Sequence, residues 1–66
     1  MTTVTLSGQN TQSNHDSVLA LLDELQLTKG RFAVEIDGML VPKSKLAQYS
    51  LQDGMQIEVV QAVGGG

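Results

Sequence analysis

The sequence predicts an α+β fold, a mixed sheet of four to five strands with one main helix packed across one face. Three observations predict it. Runs with a period of two recur at 2–7, 31–36 and 55–61, with apolar residues on alternate positions. A single stretch, 18–25, has apolar residues at helical spacing instead. Asp37-Gly38 and Asp53-Gly54 are turn signals set between the strand-like runs. A helix with one apolar face needs a sheet to lie on, which joins the two kinds of element in one layer pair.

Thr2-Thr3-Val4-Thr5-Leu6-Ser7 is β-branched, with Val4 and Leu6 on one face and Thr3 and Thr5 on the other. Gly8 is placed to turn the chain, and the polar stretch Gln9–Asn14 is a candidate second strand closing a hairpin. Asp16 or Ser17 supplies the N-cap of the helix. Val18, Leu21, Leu22 and Leu25 form its apolar face, Asp23 and Glu24 its wet face, and Leu19 the border. The helix is expected to stop near Leu25–Leu27, with Gly30 in the following loop. Phe32, Val34 and Ile36 point to the core in the next strand, and Asp37-Gly38 folds Met39-Leu40-Val41 back beside it. Pro42 ends that strand because proline lacks the ladder donor. Lys43–Tyr49 reads as a helical turn or irregular loop. Met55, Ile57 and Val59 place the last strand on the core, while Gln56, Glu58 and Val60 face away from the helix, as do Ala33 and Glu35. The first and last strands are expected side by side and parallel at the centre of the sheet.

At 66 residues the chain makes one small domain. It has no cysteine, which excludes disulfides, thiolate metal sites and a cysteine nucleophile. Such a chain suits a reducing cytoplasmic compartment. No secretory leader or membrane-spanning run is predicted, so no membrane partner is expected. The net charge of −3 argues against nucleic acid, and Phe32 and Tyr49 are too few for base stacking. The four basic residues are Lys29, Arg31, Lys43 and Lys45. His15-Asp16 lacks a second histidine and reads as a solvated loop, so no metal site is predicted. No nucleophile stands with a base and no phosphate loop is present, so no catalytic residue is expected and the chain is not read as an enzyme.

The ending is the chemically suggestive stretch. Val63-Gly64-Gly65-Gly66 follows the last strand directly, dividing the chain into a body, 1–62, and a flexible glycine tail, 63–66. Three glycines cost entropy to order and add no packing. A tail without side chains can thread a narrow channel and present the Gly66 carboxylate unhindered. From Ala62 the extended chain reaches about 17 Å at roughly 3.4 Å per residue. Val60, Ala62 and one of Met39 or Val41 are candidates for an apolar docking patch near the root, with Val63 beside them.

The element order, the Asp53-Gly54 turn, Val41-Pro42, Ile57-Glu58-Val59-Val60 and the terminal Val63-Gly64-Gly65-Gly66 resemble the ubiquitin-like β-grasp sulfur carriers, the ThiS family above all. The resemblance covers the whole chain and is strongest from Leu51 to Gly66. It departs at Met55, Leu46 and Lys43, where the family commonly has an acidic residue, a tryptophan and an arginine; these departures bear on the expected partner contacts. The resemblance implies that the chain is a carrier and co-substrate in thiamin biosynthesis. An E1-like adenylyltransferase partner, using ATP and Mg, would adenylate Gly66, with Gly64 and Gly65 threaded into its active site. Sulfur from a cysteine desulfurase pathway would convert the adenylate to a thiocarboxylate, and thiazole synthase would receive the sulfur. The chain itself would bind no cofactor. Two alternatives stay open: the same chemistry serving molybdopterin or tRNA thiolation, and a β-grasp interaction module whose tail is never activated.

Overall fold

The computed structural model describes residues 1–62. Within them β1 (Thr2–Leu6), β2 (Gln9–Ser13), α1 (Val18–Glu24), β3 (Phe32–Ile36), β4 (Met39–Val41), a 3-10 helix (Lys43–Gln48) and β5 (Gln56–Gln61) follow in order. The sheet runs β2-β1-β5-β3-β4, with β5 in the middle, parallel to β1 and antiparallel to β3. This is the expected α+β architecture, a ubiquitin-like β-grasp. The stretch expected to hold a second strand does so, pairing Thr2 with Ser13 through Leu6 with Gln9.

Both hairpins close on two-residue turns with positive φ at each central residue: Ser7 and Gly8 at 47° and 86°, Asp37 and Gly38 at 50° and 86°. That twist matches the flanking strands, and glycine takes the second position without a Cβ penalty. The parallel β1–β5 pairing is fastened at its start. Thr3 N–H donates to Asp53 Oδ1 at 2.8 Å, and Gly54 N–H donates to the Thr3 carbonyl at 2.9 Å. Asp37 Oδ1 accepts from Gln56 N–H at 3.0 Å on the other flank of β5. The two Asp-Gly turns therefore hold the first residues of the central strand as well as reversing the chain.

Helix α1 starts at Ser17, whose Oγ accepts from Ala20 N–H at 3.1 Å, so Ser17 rather than Asp16 is the cap. The segment before the helix is pinned to the end of the 3-10 helix. Val18 N–H donates to the Tyr49 carbonyl, and Leu51 N–H to the Asp16 carbonyl. Val18, Leu21 and Leu22 are buried on Val4, Leu6, Val34, Ile36, Val41 and Ile57 of the sheet, with Leu46, Leu51 and Met55 completing the core.

Three expectations are corrected. Leu25 does not join the core face: it is the C-cap, 43% exposed. The helix stops where expected, with Gly30 in the loop beyond, and the residue in the left-handed cap position is Gln26, at φ 60°. Gln26 N–H bonds the Asp23 carbonyl and Leu27 N–H the Leu22 carbonyl, the Schellman pattern, and this turns Leu27 onto the core in place of Leu25. Second, Leu46 is fully buried and fills the core, so it is not a surface position for a partner; Met55 is buried on the core face, as expected. Of the three departures from the family pattern, Lys43 alone is exposed. Third, Val41 is buried, so it cannot join the proposed apolar patch. Among the described residues no helix is long and apolar enough to cross a membrane.

Candidate functional site

The C-terminal end of β5 projects past its neighbour. Its pairing with β1 is Thr5 with Gln56 and Leu6 with Ile57, after which β1 turns away at Ser7-Gly8. Val59 N–H still reaches Ser7 Oγ at 3.4 Å. On the other side β3 follows β5 to its end, from Ile36–Ile57 to Phe32–Gln61, and Ala62 N–H donates to the Arg31 carbonyl at 3.0 Å. Gln61 Nε2 donates to the Leu27 carbonyl at 3.2 Å, tying the strand's last residue to the loop after α1. The root of the C-terminal segment is thus held by β3 and by the helix-terminal loop.

Val60 stands on the sheet face away from α1 and is 62% exposed. It lies directly opposite Ala33. With Arg31, Phe32 and Ala62 these residues line a shallow, mostly apolar cleft of ≈ 300 Å³. Leu40, 68% exposed, is the further apolar residue of this face. Its register opposite Glu35 gives it the outward side of β4, whereas Met39, opposite Ile36, sits at the sheet edge on the other side. The two-residue turn at Asp37-Gly38 already determines that register, so Leu40 could have been found from the sequence by counting back across the hairpin. Glu35 and Glu58 lie opposite one another in the middle of the same face. Like charges so placed disfavour the pairing.

A larger cleft of ≈ 470 Å³ lies at the other end of the sheet, among Ile36, Asp37, Met39, Tyr49 and Met55. It is remote from the root of the C-terminal segment, and size alone does not make it the functional surface. His15 lies in the loop before α1, as expected, and its Nε2 is 2.6 Å from Glu24 Oε1. The pair is exposed and contributes little to stability. Among the described residues no three His, Cys, Asp or Glu side chains gather to hold a metal. The expected reactive residue Gly66, the threading residues Gly64 and Gly65, and Val63 lie outside the described residues.

The profile of the ThiS family matches residues 2–66. A thiazole synthase of Paramagnetospirillum magneticum is 44% identical over 50 residues, covering 76% of this chain. The chain spans about 15% of that relative's length. The crystal structure of the thiamine biosynthesis protein ThiS from Geobacter metallireducens superposes with a TM-score of 0.76 at 24% identity. That likeness covers 97% of this chain and 99% of the other, and it establishes the fold.

Proposed function

The chain belongs to the ThiS family, and from that premise we propose that it is a sulfur carrier for thiamin biosynthesis whose reactive group is the Gly66 carboxylate. The observation that carries the reading is the family match running through Gly66, on a fold whose central strand leads directly into the glycine segment. A carboxylate is a poor electrophile. An adenylyltransferase would let the Gly66 carboxylate attack the α-phosphorus of ATP, with pyrophosphate leaving. The terminal sulfur of a desulfurase-derived persulfide would then attack the acyl carbon and displace AMP, and a second thiol would cleave the resulting acyl disulfide, leaving the thiocarboxylate on Gly66 and a disulfide between the two thiols. Thiazole synthase would take the sulfur. Catalysis belongs to those partners, which position the tail and stabilise the developing charge with ATP and Mg. In this reading Val60, Ala62 and Val63 dock the carrier, and Gly64 and Gly65 pass through the channel. The thiazole synthase relative favours thiamin over molybdopterin or tRNA thiolation as the destination.

The test is the position of the carboxylate. Deleting Gly66 withdraws it by about 3.4 Å, and one residue added beyond Gly66 extends it by as much. Misplacement of about 1 Å already costs roughly a hundredfold in rate. Both chains are expected to melt like the parent, because the core is complete within the described residues. Both should lose ATP–pyrophosphate exchange with the cognate adenylyltransferase. Exchange at the parent rate by either would show that the glycines are not a reactive terminus and would leave the interaction module as the reading.

A further inference from the structure

The chain is acidic overall, yet its cations gather where β5 ends. Arg31 accepts a backbone hydrogen bond from Ala62. Lys29 lies two residues before it, in the loop whose Leu27 carbonyl holds the Gln61 side chain. Lys43 Nζ sits 4.5 Å from the centroid of the Phe32 ring, and Phe32 is the strand partner of Gln61. Three of the chain's four basic residues thus stand near the last two described residues, Lys29 and Arg31 on the loop after α1 and Lys43 on the 3-10 helix. Among the described residues none of the three has a carboxylate within 4.0 Å; the ion pair found there joins His15 and Glu24. The opposite end of β5 has the reverse sign: Asp37 and Asp53 flank its first residues. Glu35 and Glu58 lie between. The start of the central strand is flanked by carboxylates and its end by these cations, with Asp23, which accepts from Thr28 Oγ1 at 2.9 Å, beside the basic loop.

Ion pairing within the described body does not explain the placing of Lys29 and Arg31, and Lys43 has a ring contact only. Their common feature is their place around the root of the chain's last segment. We propose that Lys29, Arg31 and Lys43 form a basic collar that docks on an acidic rim at the mouth of the partner's active-site channel. The rim is a protein surface of Asp and Glu side chains. The inference rests on the carrier reading above and adds the chemistry of the docking surface. Reach separates docking from catalysis. Four extended residues, 63–66, span at most about 14 Å, so a collar at the root acts at the mouth and does not bear on the reacting carboxylate. The apolar cleft of Val60, Ala33 and Ala62 beside Arg31 supplies the water-excluding centre, and the collar its charged edge. Glu35 and Glu58 repel an acidic rim, which confines the docking to the basic end and orients the carrier with that end toward the partner.

Charges at the edge of an interface govern encounter rate and salt dependence more than the chemical step. The test is steady-state ATP–pyrophosphate exchange with the E1-like adenylyltransferase of the same genome, over a range of NaCl. Parent chain is compared with Lys29→Glu/Arg31→Glu and with Lys43→Glu, each checked for folding by circular dichroism. The double variant is expected to raise KM for the carrier about tenfold or more with kcat unchanged, and to flatten the rise of KM with salt. Lys43→Arg should keep parent values, because the guanidinium retains both charge and ring contact. Folded reversal variants with parent KM and parent salt dependence overturn the collar while leaving the carrier reading intact. A fall in kcat at unchanged KM also overturns it, by placing the cations at the reaction. A parent chain that supports no exchange at all overturns the carrier reading and the collar with it.

Discussion

Val60 shows what one residue contributes when it serves no fold. It alternates with Ile57 and Val59 along β5, and its partner across the strands is Ala33, so nothing on its face buries it. A β-branched residue suits a strand backbone, but asparagine or threonine would suit the exposure better. Val60→Glu should therefore change stability by no more than about 0.5 kcal/mol in a denaturant melt. If the cleft docks a partner, the same change should weaken binding by about 2 kcal/mol or more, because the new charge would be desolvated without a counterion. Isothermal titration with the adenylyltransferase reads the second effect. An unfolded variant would mean that the face is wrongly assigned, and unchanged affinity would remove Val60 from the docking surface. Leu46 carries the opposite lesson. A position where a departure bore on partner contact is fully buried in the core cluster, so its side chain is chosen for packing.

Among elements, α1 is the least comfortable. Its seven residues are too few to be stable by hydrogen bonding alone, and it persists because three side chains are buried and both ends are capped. The C-terminal cap is the weak one. Gln26 at φ 60° carries a Cβ into the left-handed region, which costs roughly 1 kcal/mol that glycine would not incur. Gln26→Gly should stabilise the protein by up to about 1 kcal/mol and raise the melting temperature by roughly 4–8 °C. A thermal melt followed at 222 nm decides it; a lower melting temperature would show that the Gln26 side chain makes a compensating contact. The β5 element is the inverse case. Both long edges of its first half are hydrogen-bonded, and its end is held by β3 and the helix-terminal loop. The element that leads into the C-terminal segment is also the one the sheet supports most fully.

At the scale of the molecule, 66 residues at about 0.05–0.15 kcal/mol each give a stability of roughly 3–10 kcal/mol. The core is one contiguous cluster drawn from the sheet, the helix and the loop before β5. No subset of it is large enough to stay folded without the rest, so unfolding should be a single transition. The sequence supplies a local probe, since Tyr49 is its one tyrosine and there is no tryptophan. Tyr49 marks the clamp between the 3-10 helix and the start of α1. Its fluorescence and the far-ultraviolet dichroism should trace the same urea transition. Midpoints that differ would show the clamp opening separately from the sheet.

Local pattern was enough for the alternating strands, the helix and the Asp37-Gly38 turn, while β2, polar and without alternation, could be offered only as a candidate, and the expected parallel pairing of first and last strands holds. Alternation and helical spacing depend on which face of an element meets water, and that is written residue by residue. Val60 could be placed on the outer face for the same reason. The family resemblance, and with it the role expected of Gly66, was also carried by residues in the sequence. Only the tertiary structure decided that Gln26 stops α1 and sends Leu27 to the core in place of Leu25, because a left-handed cap is set by packing beyond the helix. It alone placed Leu46 inside, since a short 3-10 helix has no period to reveal its faces, whereas the alternation of β5 had already put Met55 on the core. The gathering of Lys29, Arg31 and Lys43 about Ala62 belongs there too. Lys29 and Arg31 stand on the loop after α1 and Lys43 on the 3-10 helix, as much as fourteen residues apart, and pairing across the sheet brings them to one end.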